Sequence, residues 1–128
     1  MIIYNASMEG SQPWQITLFL AQFKDYVQNQ FIFSDRHSSI DTITNLGITI
    51  KQAKDAILGL TYGDYYRGPF PHDSPRDGEY WEFGKSIQGE EVFIKLKTIT
   101  EFRIAICLSF HPPEVSLEYP HKIKKNYS

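Results

Sequence analysis

The chain has 128 residues, a net charge of −2 at neutral pH and 41% hydrophobic residues. That length is expected to give one domain, 1–128, that buries roughly two-thirds of its unfolded surface and needs no disulfide or metal to fold. One cysteine, Cys107, excludes an intramolecular disulfide and fits a reducing cytoplasm. No stretch approaches the roughly 20 apolar residues that span a bilayer. The opening "MIIYNASMEGSQPW" lacks the basic-then-apolar order of a signal peptide, so a soluble cytoplasmic protein without a membrane partner is expected. The acidic balance argues against a general nucleic-acid binder. Lys85, Lys95, Lys97 and Arg103 nevertheless gather in the second half, and "HKIKK" follows near the end, which leaves a local basic surface open.

Along the chain, the first half has helical period. "SQPWQITLFLAQFKDYVQ" offers Ser11 as an N-cap and a proline in the first turn, with Trp14, Leu18, Phe19, Phe23, Tyr26 and Val27 at helical spacing. "QFIFS" reads as one short strand. "SSIDTITNLG" reads as a short helix stopped by Gly47. In "TIKQAKDAILGL", Thr49 and Gln52 form a capping box, and Ala53, Ile57 and Leu60 point inward. Thr61 and Asp64 repeat that signature, so "TYGDYYRG" is expected to be a further helical turn ending near Gly68. "GPFPHDSPRDG", with three prolines and two glycines, reads as an exposed loop.

From Glu79 the period changes to two. "EYWEFGKS", "EVFIKLKT" and "EFRIAICLSFH" read as three antiparallel strands joined by turns at "IQGE" and "ITE". The expected fold is α+β, a small three-stranded meander with the N-terminal helices on one face. Strict alternation turns Phe102, Ile104, Ile106, Leu108 and Phe110 toward the helices, with Val92, Ile94, Leu96, Trp81 and Phe83. The other parity holds Tyr80, Glu82, Gly84, Phe93, Lys95, Lys97, Arg103, Ala105, Cys107, Ser109 and His111. A mixed-charge sheet face of this kind is commonly just solvated. Glu82 can pair across the sheet with Lys95, Arg67 can complement a helix C-terminus, and a histidine ending a strand is usually an ordinary surface residue.

The order "ILGLTYGDYYRG", loop, "WEFGK", "VFIKLK", "ICLSFH" resembles the MqsR family of type II toxins, over about residues 26–111. The resemblance implies a RelE-like α/β fold, messenger-RNA cleavage without cofactors, and a cognate antitoxin as partner. It places a basic residue at Arg67, a polar residue at Glu82, an aromatic and a lysine at Phe93 and Lys95, and a basic residue at His111. The best-known members carry lysine, glutamine, tyrosine and lysine where this chain has Arg67, Glu82, Phe93 and His111. The substituted set resembles the Glu, Arg and His of other RelE-superfamily nucleases.

Metal-independent RNA cleavage needs a base for the 2′-hydroxyl, an acid for the leaving 5′-oxygen and a cation for the phosphate. Glu82 suits the base. His111 suits the acid, since an imidazole can donate at physiological pH. Arg67 suits the clamp, because a guanidinium presents a fork of donors to phosphate oxygens. Lys95, Lys97 and Arg103 would follow the RNA backbone, and Tyr66 and Tyr80 would meet bases. Tyr65, Tyr66, Phe70 and Tyr80 can equally form a hydrophobic ledge. His72 and Asp73, with His37 or His121, show no metal-ligand spacing, so no metal site is expected. The competing reading is a non-enzymatic protein that binds or inhibits a partner through the same face.

Overall fold

A computed structural model describes residues 10–71 and 78–122. Helix α1 (Pro13–Val27) leads into strand β1 (Phe31–Phe33), followed by α2 (His37–Leu46) and α3 (Ile50–Leu58). A 3-10 turn (Tyr62–Asp64) precedes β2 (Tyr65–Pro71), β3 (Glu79–Ile87) and β4 (Glu90–Ile99). A second such turn (Thr100–Phe102) joins β4 to β5 (Ile104–His111). The strands form a five-stranded mixed sheet in the order β1-β5-β4-β3-β2, with β1 parallel to β5 and the other pairs antiparallel. The fold is α+β, and its sheet is wider than the three strands expected. Among the described residues no helix is long and apolar enough to cross a membrane.

Local signals set the helix ends. In α3, Gln52 N–H donates to Thr49 Oγ1 (3.0 Å) and Thr49 N–H to Gln52 Oε1 (2.8 Å), satisfying two donors left over at a helix start. Ala53, Ile57 and Leu60 are buried, as that reading requires. Helix α2 stops at Gly47, whose φ of +70° is open to glycine without the Cβ penalty. The start of α1 differs from expectation. Gln12, not Ser11, is the N-cap residue, with its N–H donating to Gln15 Oε1 at 2.7 Å. Ser11 instead ties the helix to β2: its hydroxyl donates to the Gly68 carbonyl (2.8 Å) and its N–H to Tyr65 Oη (3.1 Å). Ile16, Leu20, Phe23 and Val27 form the buried stripe, whereas Trp14 and Leu18 are 67% and 64% exposed. The helix carries two apolar stripes, and only one meets the sheet.

Strand β2 stands where a helical turn and an exposed loop were expected. The Thr61–Asp64 signature closes a single 3-10 turn, with Thr61 N–H donating to Asp64 Oδ2 at 2.9 Å. The chain then extends through Tyr65 to Pro71. Pro69 and Pro71 are compatible with a strand because β2 lies at the sheet edge, where a missing N–H need not break a ladder. The pairing with β3 shifts register on both sides of Arg67. His72 and Asp73 lie outside the described residues.

The largest correction is the parity of β5. Lys95 pairs with Ser109 while the next β4 residue, Leu96, pairs with Cys107, so Leu108 is an extra residue in a β-bulge. Beyond it the two faces exchange. Phe110 is in the core as expected, but so are Ala105 and Cys107, both fully buried. Ile104 and Ile106 are half-buried on the opposite face, and Phe102 stands in the turn, 64% exposed. Arg103, expected on the polar face, also lies in that turn with a φ of +53°. Burial pushes the Cys107 thiol up to about 12, so it serves as a small core hydrophobe. The core joins Phe23, Tyr65, Phe83, Ile94, Leu96 and Phe110 between the sheet and the helices.

Candidate functional site

The face away from the helices is organised in cross-strand rows fixed by register. One row runs Phe70, Tyr80, Lys97, Ile106 and Ile32. The next runs Arg67, Glu82, Lys95 and Ser109; a third runs Gly84, Phe93 and His111. Glu82 and His111 therefore share this face, as alternation along the strands predicted. The face is less solvated than expected: Glu82, Lys97 and Ser109 are 4%, 7% and 2% exposed.

Arg67 and Glu82 make the central contact. Arg67 Nε donates to Glu82 Oε1 at 2.6 Å, joining a side chain 57% exposed to one 5% exposed. The hydrogen bond to Glu82 raises the arginine pKa against an opposing contribution from burial. The guanidinium also lies over the rings of Tyr66 (4.9 Å) and Phe70 (5.4 Å), which hold its plane. Among the described residues Glu82 is its one hydrogen-bond partner. Lys95 is the cross-strand neighbour of Glu82, yet its ammonium sits over Tyr80, 4.5 Å from the ring centroid. Lys97 is buried beside Tyr80, and among the described residues no carboxylate pairs with it. Arg67 and Glu82 pair with each other, so among the described residues Lys95 and Lys97 carry charge that this pair does not neutralise.

His111 stands apart from that pair. From the strand spacing and rise, its Cα lies about 12 Å from that of Glu82, across β4 and one row along. Its ring lies 5.2 Å from Phe93. The Nδ1–H donates to the Pro112 carbonyl (2.8 Å), leaving Nε2 to exchange a proton. His111 lines a groove with Ser38, Asp41, Asn45 and Glu91, whereas Arg67 lines a different one. The expected constellation thus splits into a contacting pair and one separate histidine.

Sequence reasoning missed the segment 112–122, which returns along the sheet after β5. A Cβ built on Gly84 would stand 2.5 Å from Leu117 Cδ1 and closer still to Tyr119 Oη, so a larger residue there would force these two side-chain ends to shift. Tyr119 donates to Glu91 Oε2 (2.6 Å), and burial followed by that bond raises its phenol pKa. His121 stacks on Tyr65, and its Nε2 is 2.7 Å from the Ser11 carbonyl. The signal was an unremarkable glycine in a strand, a common mark of close approach. Gly84→Ala should displace the Leu117 and Tyr119 side chains and break the Tyr119–Glu91 bond. Absorbance titration should then return the Tyr119 phenol toward the ordinary tyrosine range, with Tyr119→Phe as the control, while the thermal melt of the core changes little.

Compared with family models, characterised proteins and solved structures, the chain matches none.

Proposed function

We propose that the chain is a metal-independent endoribonuclease, the toxin of a type II toxin–antitoxin pair on a RelE-like version of this fold. Its substrate is messenger RNA, and a cognate antitoxin keeps it silent. The observation that carries this reading is the Arg67–Glu82 pair: a buried carboxylate bonded to an exposed guanidinium, beside two lysines that it does not neutralise. The resemblance of residues 26–111 to the MqsR family supports the same assignment.

In this mechanism Glu82 takes the proton of a 2′-hydroxyl, whose oxygen attacks the adjacent phosphorus. The phosphorus–5′-oxygen bond breaks, and the leaving oxygen takes a proton from His111 Nε2. The products are a 2′,3′-cyclic phosphate and a 5′-hydroxyl. Arg67 and Lys95 meet the phosphate charge as it grows. In-line displacement requires a phosphate bound between Glu82 and His111. Each proton contact would then span about 2.6–3.2 Å.

Purified protein should cleave messenger RNA in excess EDTA and leave those termini. Activity that disappears with EDTA and returns with magnesium would overturn the mechanism. A second reading, a non-enzymatic binding protein, is favoured by the separate groove around His111. Induced expression followed by mapping of new RNA 5′ ends decides between them: new ends mark the nuclease, and an unchanged pattern marks the binding protein.

A further inference from the structure

The segment 112–122 does more than cover Gly84. With β2 it encloses an open groove of about 1180 Å³, lined on one side by Tyr66, Arg67 and Phe70 and on the other by Tyr119, His121 and Lys122. That exceeds the roughly 300–1,000 Å³ of small-molecule clefts and suits a length of polymer. Each wall carries one cation against aromatic rings. Arg67 lies against Tyr66 and Phe70, and Lys122 lies 5.3 Å from the ring centroid of Tyr119. Among the described residues Glu118 is the one carboxylate in the lining. Arg67 belongs both to this groove and to the Glu82 row, so a strand leaving Glu82 would pass directly into the groove.

We propose that this groove binds single-stranded nucleic acid, with phosphates on Arg67 and Lys122 and unpaired bases against Tyr66, Phe70 and Tyr119. The assignment rests on the ribonuclease reading and extends it, making the C-terminal segment part of the substrate path. Cations set against aromatic rings match this ligand: the cations meet the backbone, and every base offers a face to a ring. A duplex, whose bases are already stacked, gains only the charge contacts.

The test is binding of a fluorescent, random-sequence oligodeoxynucleotide of about twelve residues, within the site size of known single-strand binders. Lacking 2′-hydroxyls, it reports binding without cleavage. The single strand should bind more tightly than its duplex. Lys122→Ala should weaken binding and lower the slope of log K against log salt by about 0.7, the share of one phosphate contact. Tyr119→Ala should weaken it roughly five- to a hundredfold, whereas Tyr119→Phe, which keeps the ring, should lose much less. Thermal melts on the same preparations separate these losses from unfolding. Parental affinity and salt slope in both Lys122→Ala and Tyr119→Ala would overturn the groove, while cleavage by the parent would leave the nuclease reading intact. Failure of the parent to bind the single strand would also overturn the groove, and cleavage of RNA in EDTA would still judge the nuclease separately.

Discussion

Glu82→Gln should slow RNA cleavage by about two to four orders of magnitude, the usual contribution of a general base. Glutamine keeps a carbonyl oxygen that can accept from Arg67 Nε, so the 2.6 Å contact can survive while the basic group is lost. Binding of the uncleavable oligonucleotide should persist or tighten, because a negative charge has left a phosphate site. His111→Gln should cause a comparable rate loss without that gain in binding, since it removes an acid and no anion. Arg67→Ala should lower both rate and affinity, because its charge meets substrate and transition state alike. That variant also strands a buried carboxylate, so its melt must be measured beside its rate. Single-turnover rates that followed melting temperature across all three variants would assign these residues to stability alone. Folded Glu82 and His111 variants that cut at the parental rate would leave the binding-protein reading.

Parts of this arrangement were legible in the sequence because their causes are local. The Thr49–Gln52 box and Gly47 each depend on residues within a turn or two, and the structure places them where the pattern does. The short strand around Phe31 and the hairpin at Gln88 and Gly89 are of the same kind. Strand β2 was not legible, because its prolines interrupt a strand ladder except at an edge, and edge position is decided by the whole sheet. Similarly, nothing near Gly84 reveals that Leu117 and Tyr119 lie over it. In the candidate site, alternation placed Glu82 and His111 on one face. It could not show that Arg67 rather than Lys95 would hold Glu82, since β2 itself was unrecognised. Arg103 was misplaced because a turn in left-handed conformation intervenes before β5.

The bulge at Leu108 yields the sharpest structural test, since pattern and coordinates assign opposite faces to adjacent residues. Alternation traced through "FRIAICLSF" turns Ile106 inward and Ala105 outward. In the structure Ala105 pairs with Thr98 and Phe31 on the helix side, fully buried, while Ile106 shares a row with Lys97 and Ile32 on the other face. Ala105→Asp should therefore abolish the fold. It places a carboxylate in the fully buried core, at several kcal/mol per buried ion, against a total stability of about 5–15 kcal/mol. Ile106→Asp should remain folded, losing only about 1–2 kcal/mol from a half-buried position, because the new charge stands beside Lys97. Urea unfolding followed by circular dichroism reads both. A folded Ala105→Asp beside an unfolded Ile106→Asp would restore the uninterrupted alternation. It would put Ala105 on the face of Ser109 and His111, whose own side is the same with or without the extra residue.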